Sequence, residues 1–152
     1  MTLINQPSSL QLTALDVAYQ KTLYQIFSEG GAIRIRINVV SAELTQLLQA
    51  SGQTTWAFIT AFNPYSQRLE RSENLRHNRL LAEAIEQRGL AFLNAEGRDP
   101  SGLWPVEESF FILGITQADA VALGKQFCQN AILYGEIGEP AKLLWISRPD
   151  GR

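Results

Sequence analysis

Two periods of hydrophobicity run along the chain, and the points where one gives way to the other divide it into short helices and strands. Leu12, Leu15 and Tyr19 recur at helical spacing within Leu10 to Gln20. Thr22 to Phe27, where aromatic and β-branched residues gather, reads as a strand. Ser28-Glu29-Gly30-Gly31 has turn chemistry, and Ala32 to Ile37 then places Ile on one face and Arg on the other. That is a hairpin with one solvated face. Ser41 can cap a helix running to Ala50, which Gly52 closes. Thr55 to Phe62 is almost wholly apolar, as befits a central strand covered on both sides.

Asn63-Pro64 stops that strand, because proline has no backbone donor and holds the preceding residue extended. A polar loop leads to a helix over Ser72 to Arg88, with Leu80, Leu81, Ala84 and Ile85 on its inward face and Gly89 just past its end. Leu90 to Ala95 and Glu107 to Ile115 are strands that pair as a hairpin around the turn-rich segment Glu96 to Pro105. Thr116 caps a helix through Phe127, with Ala118, Val121 and Ala122 turned inward. Ala131 to Glu136 and Leu143 to Ser147 are strands about a turn at Ile137-Gly138-Glu139-Pro140. The order αββαβαββαββ predicts an α+β (α/β mixed) fold, a single-layer mixed sheet of about six or seven strands with helices packed on it. Residues 1–147 form a single domain on this reading, and 148–152 a loose C-terminal tail.

Composition narrows the partners. The chain has 152 residues, 45% of them hydrophobic and 18% charged, enough apolar surface for one packed core. Thirteen Lys and Arg against fifteen Asp and Glu leave a net charge of −2. No global field therefore draws in nucleic acid, and this balance speaks against a nucleic-acid partner. Cys128 is the one cysteine, which removes internal disulfides and thiolate zinc sites and fits a reducing cytoplasm. Met1 to Asn5 does not read as a secretory leader, and the longest apolar runs fall far short of the roughly 20 residues a membrane helix requires. His77 is the only histidine, and no phosphate-loop or dinucleotide glycine motif is present. The pattern names no metal, no cofactor and no catalytic residue.

Strand directions nevertheless bring polar residues to one rim. A hairpin reverses the chain and a strand-helix-strand crossover restores its direction. With the strand ending at Phe62 as reference, Asn63, the start of the next helix, the Glu96 to Pro105 loop, the start of the Glu107 strand and the end of the Thr116 helix all lie at the same end. Asn63, Asn74, Asp99, Trp104, Glu107, Glu108, Ser109, Gln129 and Asn130 thus converge, at the kind of place where open sheets bind ligands. Asn74 and His77 lie within the apolar arc of their helix although both are polar, so they either pin loop backbone or face a cleft. These residues are the ligand-binding candidates, for a small polar or anionic molecule or a partner protein's loop.

Two other readings stay open. Asp99, Glu107 and Glu108 could supply an acid and base to a hydrolase or transferase, with Mg²⁺. Adjacent strand residues face opposite ways, so Glu107 and Glu108 share a site only across a bulge. Asp99-Pro100-Ser101-Gly102 also fits a plain turn anchored by Trp104. The arginines Arg68, Arg71, Arg76 and Arg79 around Glu70 and Glu73 read as a solvated face with charge pairs, since no aromatics interleave them. The third reading is a protein-interaction or regulatory module, which an apolar exposed patch away from the rim would mark.

The runs AFITAFNPYS (Ala57 to Ser66), GRDPSGLWPVEES (Gly97 to Ser109) and LGKQFCQNAI (Leu123 to Ile132), with Asn74 between the first two, resemble a bacterial family of small uncharacterised domains, series 3293 among domains of unknown function. The likeness is strongest from Thr55 to Leu133, and Tyr19, Thr22 and Tyr24 fit it too. Asn63, Pro64, Asn74, Asp99, Pro100, Trp104, Glu108, Ser109, Phe127, Gln129 and Ala131 take its motif positions. Cys128 stands where the resemblance implies Gly, and Val106 is an additional residue before Glu107-Glu108-Ser109. The family brings no reaction, substrate or cofactor with it.

Overall fold

The computed structural model describes residues 7–146. Ser147 and the tail 148–152 lie outside the described residues. In chain order the elements are α1 (Ser9–Lys21), β1 (Leu23–Ser28), β2 (Gly31–Ile35), α2 (Ala42–Ser51), β3 (Thr55–Ile59), a 3₁₀ turn (Pro64–Ser66), α3 (Arg71–Gln87), β4 (Ala91–Arg98), β5 (Glu107–Leu113), α4 (Gln117–Gln126), β6 (Ala131–Glu136) and β7 (Lys142–Trp145). This is the order read from the hydrophobic periods, and the fold is α+β.

Local chemistry accounts for the helix starts. Ser8 accepts from the Gln11 N–H while the Gln11 side chain accepts from the Ser8 N–H, a reciprocal cap on α1. Ser41 accepts from the Leu44 N–H, and Gly52 ends α2 in the left-handed region at φ 73°.

The seven strands form one sheet in the order β2-β1-β4-β5-β3-β6-β7. Every pairing between these strands is antiparallel. The sequence reading of a mixed sheet anticipated parallel neighbours across the two helical crossovers. Those crossovers do join strands of like direction, but β3-α3-β4 spans β5 and β5-α4-β6 spans β3, so an antiparallel strand separates each pair. With an odd number of alternating strands the outermost two run the same way. The sheet curls until they touch at a single parallel bridge between Ile37 and Ala141, closed by the Asn38 N–H donating to the Ala141 carbonyl at 2.8 Å.

Curling gives the sheet an inside and an outside, each with its own core. Inside lie Ile26, Ile33, Ile35, Trp56, Phe58, Phe111 and Leu133, closed at one end by Leu44 and Leu48 of α2. Trp56 stacks on Phe111 with centroids 5.3 Å apart, and its indole lies so close to Gly135 that a Cβ there would come within 2.6 Å of the ring. Outside, Ala57, Ile59, Ile112, Ile132 and Tyr134 pack against Leu81 and Ile85 of α3 and Ala120 and Leu123 of α4. β3 is buried on both faces from Trp56 to Ile59, as its apolar run implied. On the outer face of the β1-β2 hairpin Arg34 and Arg36 are exposed, while Gln25 beneath Arg34 is buried.

Two helix faces differ from their expected positions. Leu80 is 45% exposed, because the inward stripe of α3 runs through Asn74, Asn78, Leu81 and Ile85. On α4 the buried set is Ala120, Leu123 and Gly124, with Ala118 and Ala122 exposed. Gly124 fixes that face, since without a side chain it lets α4 approach Ile132 and Ile146 closely.

Candidate functional site

Where β3 leaves the sheet its backbone loses ladder partners, and α3 supplies replacements. The Ala61 N–H donates to the Asn78 side-chain carbonyl at 2.8 Å, and the Asn63 N–H donates to that of Asn74 at 2.8 Å. Asn78 also donates to the Glu108 backbone carbonyl at 2.8 Å. This explains two polar residues one turn apart on an apolar stripe: they are buried because backbone donors need them. Asn74 therefore belongs to the support of the rim. Asn78, four residues further on the same arc, escaped the sequence reading.

Asn63 is the hub. Its backbone is left-handed at φ 47° rather than extended as the following proline implied, a conformation asparagine tolerates better than most side chains. Its side-chain carbonyl accepts from the Asn74 amide at 2.9 Å and from the Leu69 N–H at 3.0 Å. Its amide donates to Glu107 Oε2 at 2.8 Å. Tyr65, Ser66 and Cys128 are left-handed as well, at φ 52°, 60° and 55°. They are tied together by the Tyr65 N–H donating to the Cys128 carbonyl. Such non-glycine conformations cost of order 1 kcal/mol or more each and gather at functional sites. The left-handed backbone at Cys128 is the physical reason a glycine suits that position.

Asn63, Tyr65 and Ser66 border a cleft of about 840 Å³ at the end of the curled sheet opposite α2. Asn63, Asp99, Trp104, Glu107, Ser109 and Gln129 line it, six of the candidates named from sequence. Its other wall is α1, with Leu15, Ala18 and Tyr19, and its floor includes Tyr24, Phe58 and Leu133. Neighbouring glutamates part company, as strand alternation requires. Glu107 faces the cleft, whereas Glu108 pairs with Arg71 on the outer side. Asn130 sits behind the wall, donating to the Ser66 hydroxyl at 2.8 Å. His77 lies on the flank of α3 beside Glu73 and Arg76 and does not border the cleft.

Electrostatics single out one group. Burial pushes the Glu107 carboxyl above its ordinary value, and the hydrogen bond from Asn63 offsets part of that. Tyr19 is raised by burial and then by the Glu107 charge, against a hydrogen bond with Ser66. Burial likewise raises Tyr24, whose hydroxyl donates to the Tyr19 carbonyl at 3.0 Å.

Asp99 behaves differently. Hydrogen bonds from the Ser101 hydroxyl and N–H, and from the Trp104 and Leu103 N–H groups, hold its carboxyl below the usual range. It organises its own loop. Trp104 is 52% exposed at the lip, under the Arg68 guanidinium at 5.8 Å, and does not anchor the turn in a core. The shared carboxylate site considered for Mg²⁺ does not assemble: among the described residues no three of His, Cys, Asp and Glu come together as a cation site. Sequence reasoning also missed α1 as a wall, and Tyr19, Tyr24 and Ser66 with it. Their one trace in the sequence was that two of the tyrosines fitted the resemblance.

An α+β domain with a cleft at the mouth of a curled sheet is the class this geometry defines. The family model described as protein of unknown function (DUF3293) matches residues 59–132, from the last residue of β3 into β6. The resemblance read in the sequence is to this family. The matched segment carries Asn63, Asn74, Asp99, Trp104, Glu107 and Gln129, while α1 and Tyr24 lie outside it. No curated protein and no solved structure matches the chain.

Proposed function

We propose that the chain is a ligand-binding domain whose cleft takes a small molecule between α1 and the inner face of the sheet. The observation that carries this reading is the convergence of a partly buried, desolvated carboxyl, several hydroxyl and amide side chains and several aromatic rings on one concavity of ligand size. Strained backbone along one wall supports it too. The lone cysteine favours a cytoplasmic setting. No helix among the described residues is long and apolar enough to cross a membrane.

A thermal-shift and calorimetric screen of amino acids, nucleotides, phosphorylated metabolites and amines tests the proposal. A stabilising ligand should lose at least tenfold in affinity with Trp104→Ala, which removes a lip residue exposed enough to leave the fold intact. A panel without a single hit, or hits indifferent to Trp104, counts against the cleft.

A second reading makes Glu107 a general base, favoured by the rise that burial gives its carboxyl in a cleft. Turnover of a bound compound, followed by proton NMR and abolished by Glu107→Gln, would establish it. The interaction-module reading draws less support, because the exposed Val17, Leu103 and Trp104 border the cleft itself.

A further inference from the structure

We propose that the ligand is an organic cation, an ammonium group on an apolar body, with Glu107 as its counter-charge; this rests on the cleft being a binding site. Glu107 presents two oxygens to the interior, and Asn63 donates to only one of them. The carboxyl is only partly exposed to water and lines the cleft. A partly desolvated carboxylate facing a cleft is best met by a counter-charge, and an N–H⁺ group supplies that charge together with donors.

Ring chemistry points the same way. Tyr19, Tyr24, Phe58, Tyr65 and Trp104 line the same cleft, and aromatic faces attract cations through their quadrupoles. The protein already uses one of these rings so, since the Arg68 guanidinium lies over Trp104. An anion would meet the opposite field. The other charged side chains lining the cleft are Asp99, whose oxygens its own loop consumes, and Lys21, exposed in the last turn of α1. Ala18, Leu15, Leu133 and Leu143 give the cleft an apolar stretch that suits a hydrocarbon body.

Titration calorimetry with three probes of one shape decides the matter: 2-phenylethylamine, 2-phenylethanol and 3-phenylpropionate, each against the full chain and its Glu107→Gln and Trp104→Ala variants. The amine should bind at least about tenfold more tightly than the alcohol, the carboxylate most weakly. In Glu107→Gln, which keeps an acceptor for Asn63, the preference for the amine should shrink to threefold or less while the alcohol binds as before. Trp104→Ala should weaken amine and alcohol together.

The amine's advantage should also grow as pH rises through the titration of Glu107, and this growth should be absent from Glu107→Gln. Tyr19 of α1 and Tyr24 of β1, the other titratable groups closest to Glu107, stay protonated over that range. Equal affinity for amine and alcohol, tighter binding of the carboxylate, or an undiminished preference in Glu107→Gln would overturn the cationic ligand while leaving the cleft as a site. Failure of all three probes would overturn both. Circular dichroism and melting of each variant show that its fold is retained.

Discussion

The two ends of the curled sheet are closed by helices of similar length and opposite character. At one end α2 buries Leu44 and Leu48 against Ile33, Ile35 and Trp56, and the interior there is filled. At the other end no residue of α1 is fully buried, Tyr19 alone packs against the inner core, and the space beneath the helix is the cleft. One helix is part of the core; the other covers a core that has been left unfinished. The difference lies in side chains rather than caps, since a serine caps each helix. An unfilled, partly polar interior costs stability relative to a packed one, so the α1 end should contribute less to the fold than the α2 end.

Substitutions can break or sharpen this contrast. The largest effect is expected from Leu48→Ala, at a side chain 1% exposed, which should lower stability to urea by about 2–5 kcal/mol through lost transfer energy and a cavity. Next comes Glu107→Gln, whose effect depends on pH. Burial raises the folded-state value of this carboxyl above the ordinary 4.5, so the folded chain holds the proton longer than the unfolded one. Its contribution to stability is whole below pH 4.5 and is lost as pH climbs through the raised value. The variant should therefore gain on the parent with rising pH in paired melting curves; a difference that stays flat from acid to neutral would mean the carboxyl is not withdrawn from water.

Cys128→Gly is a smaller change. Relief of a left-handed cysteine should stabilise by up to about 1 kcal/mol, less what the extra freedom of the unfolded chain takes back. The smallest effect belongs to Leu15→Ala in α1, which should cost under about 1 kcal/mol, since this leucine lines the cleft without being fully buried. If chemical denaturation ranked Leu15 with Leu48, α1 would be a core helix and the contrast between the ends would fail.

How far the sequence reached follows from the same physics. Elements with a strong period were legible: the alternating Ile33, Ile35 and Ile37, the apolar run of β3, and the capped α2. So was the meeting of Asn63, Glu107, Ser109 and Gln129, because strand direction depends only on the succession of hairpins and crossovers. Lateral order was not. The β4-β5 hairpin was legible, but nothing local tells β5 to take β3 on its other edge, since that strand lies far back along the chain. Helix faces slipped for a related reason: Asn78 continues the stripe of Asn74 and Leu81, but a polar residue inside an apolar arc declares itself only when its backbone partner, Ala61, is in view. Tyr19 read as an ordinary helical aromatic, and only the tertiary arrangement shows it facing Glu107.

The junction of Ile37 with Ala141 has a mechanical meaning. A fully zipped barrel has a rigid circumference, because widening it would break a whole ladder of bonds. Here the hoop is fastened by one rivet, and its two borders run in the same sense, overlapping only at their tips. Widening the hoop at this seam would break one backbone hydrogen bond and uncover Ile37 and Ala141, both buried, while the six antiparallel ladders lie elsewhere in the sheet.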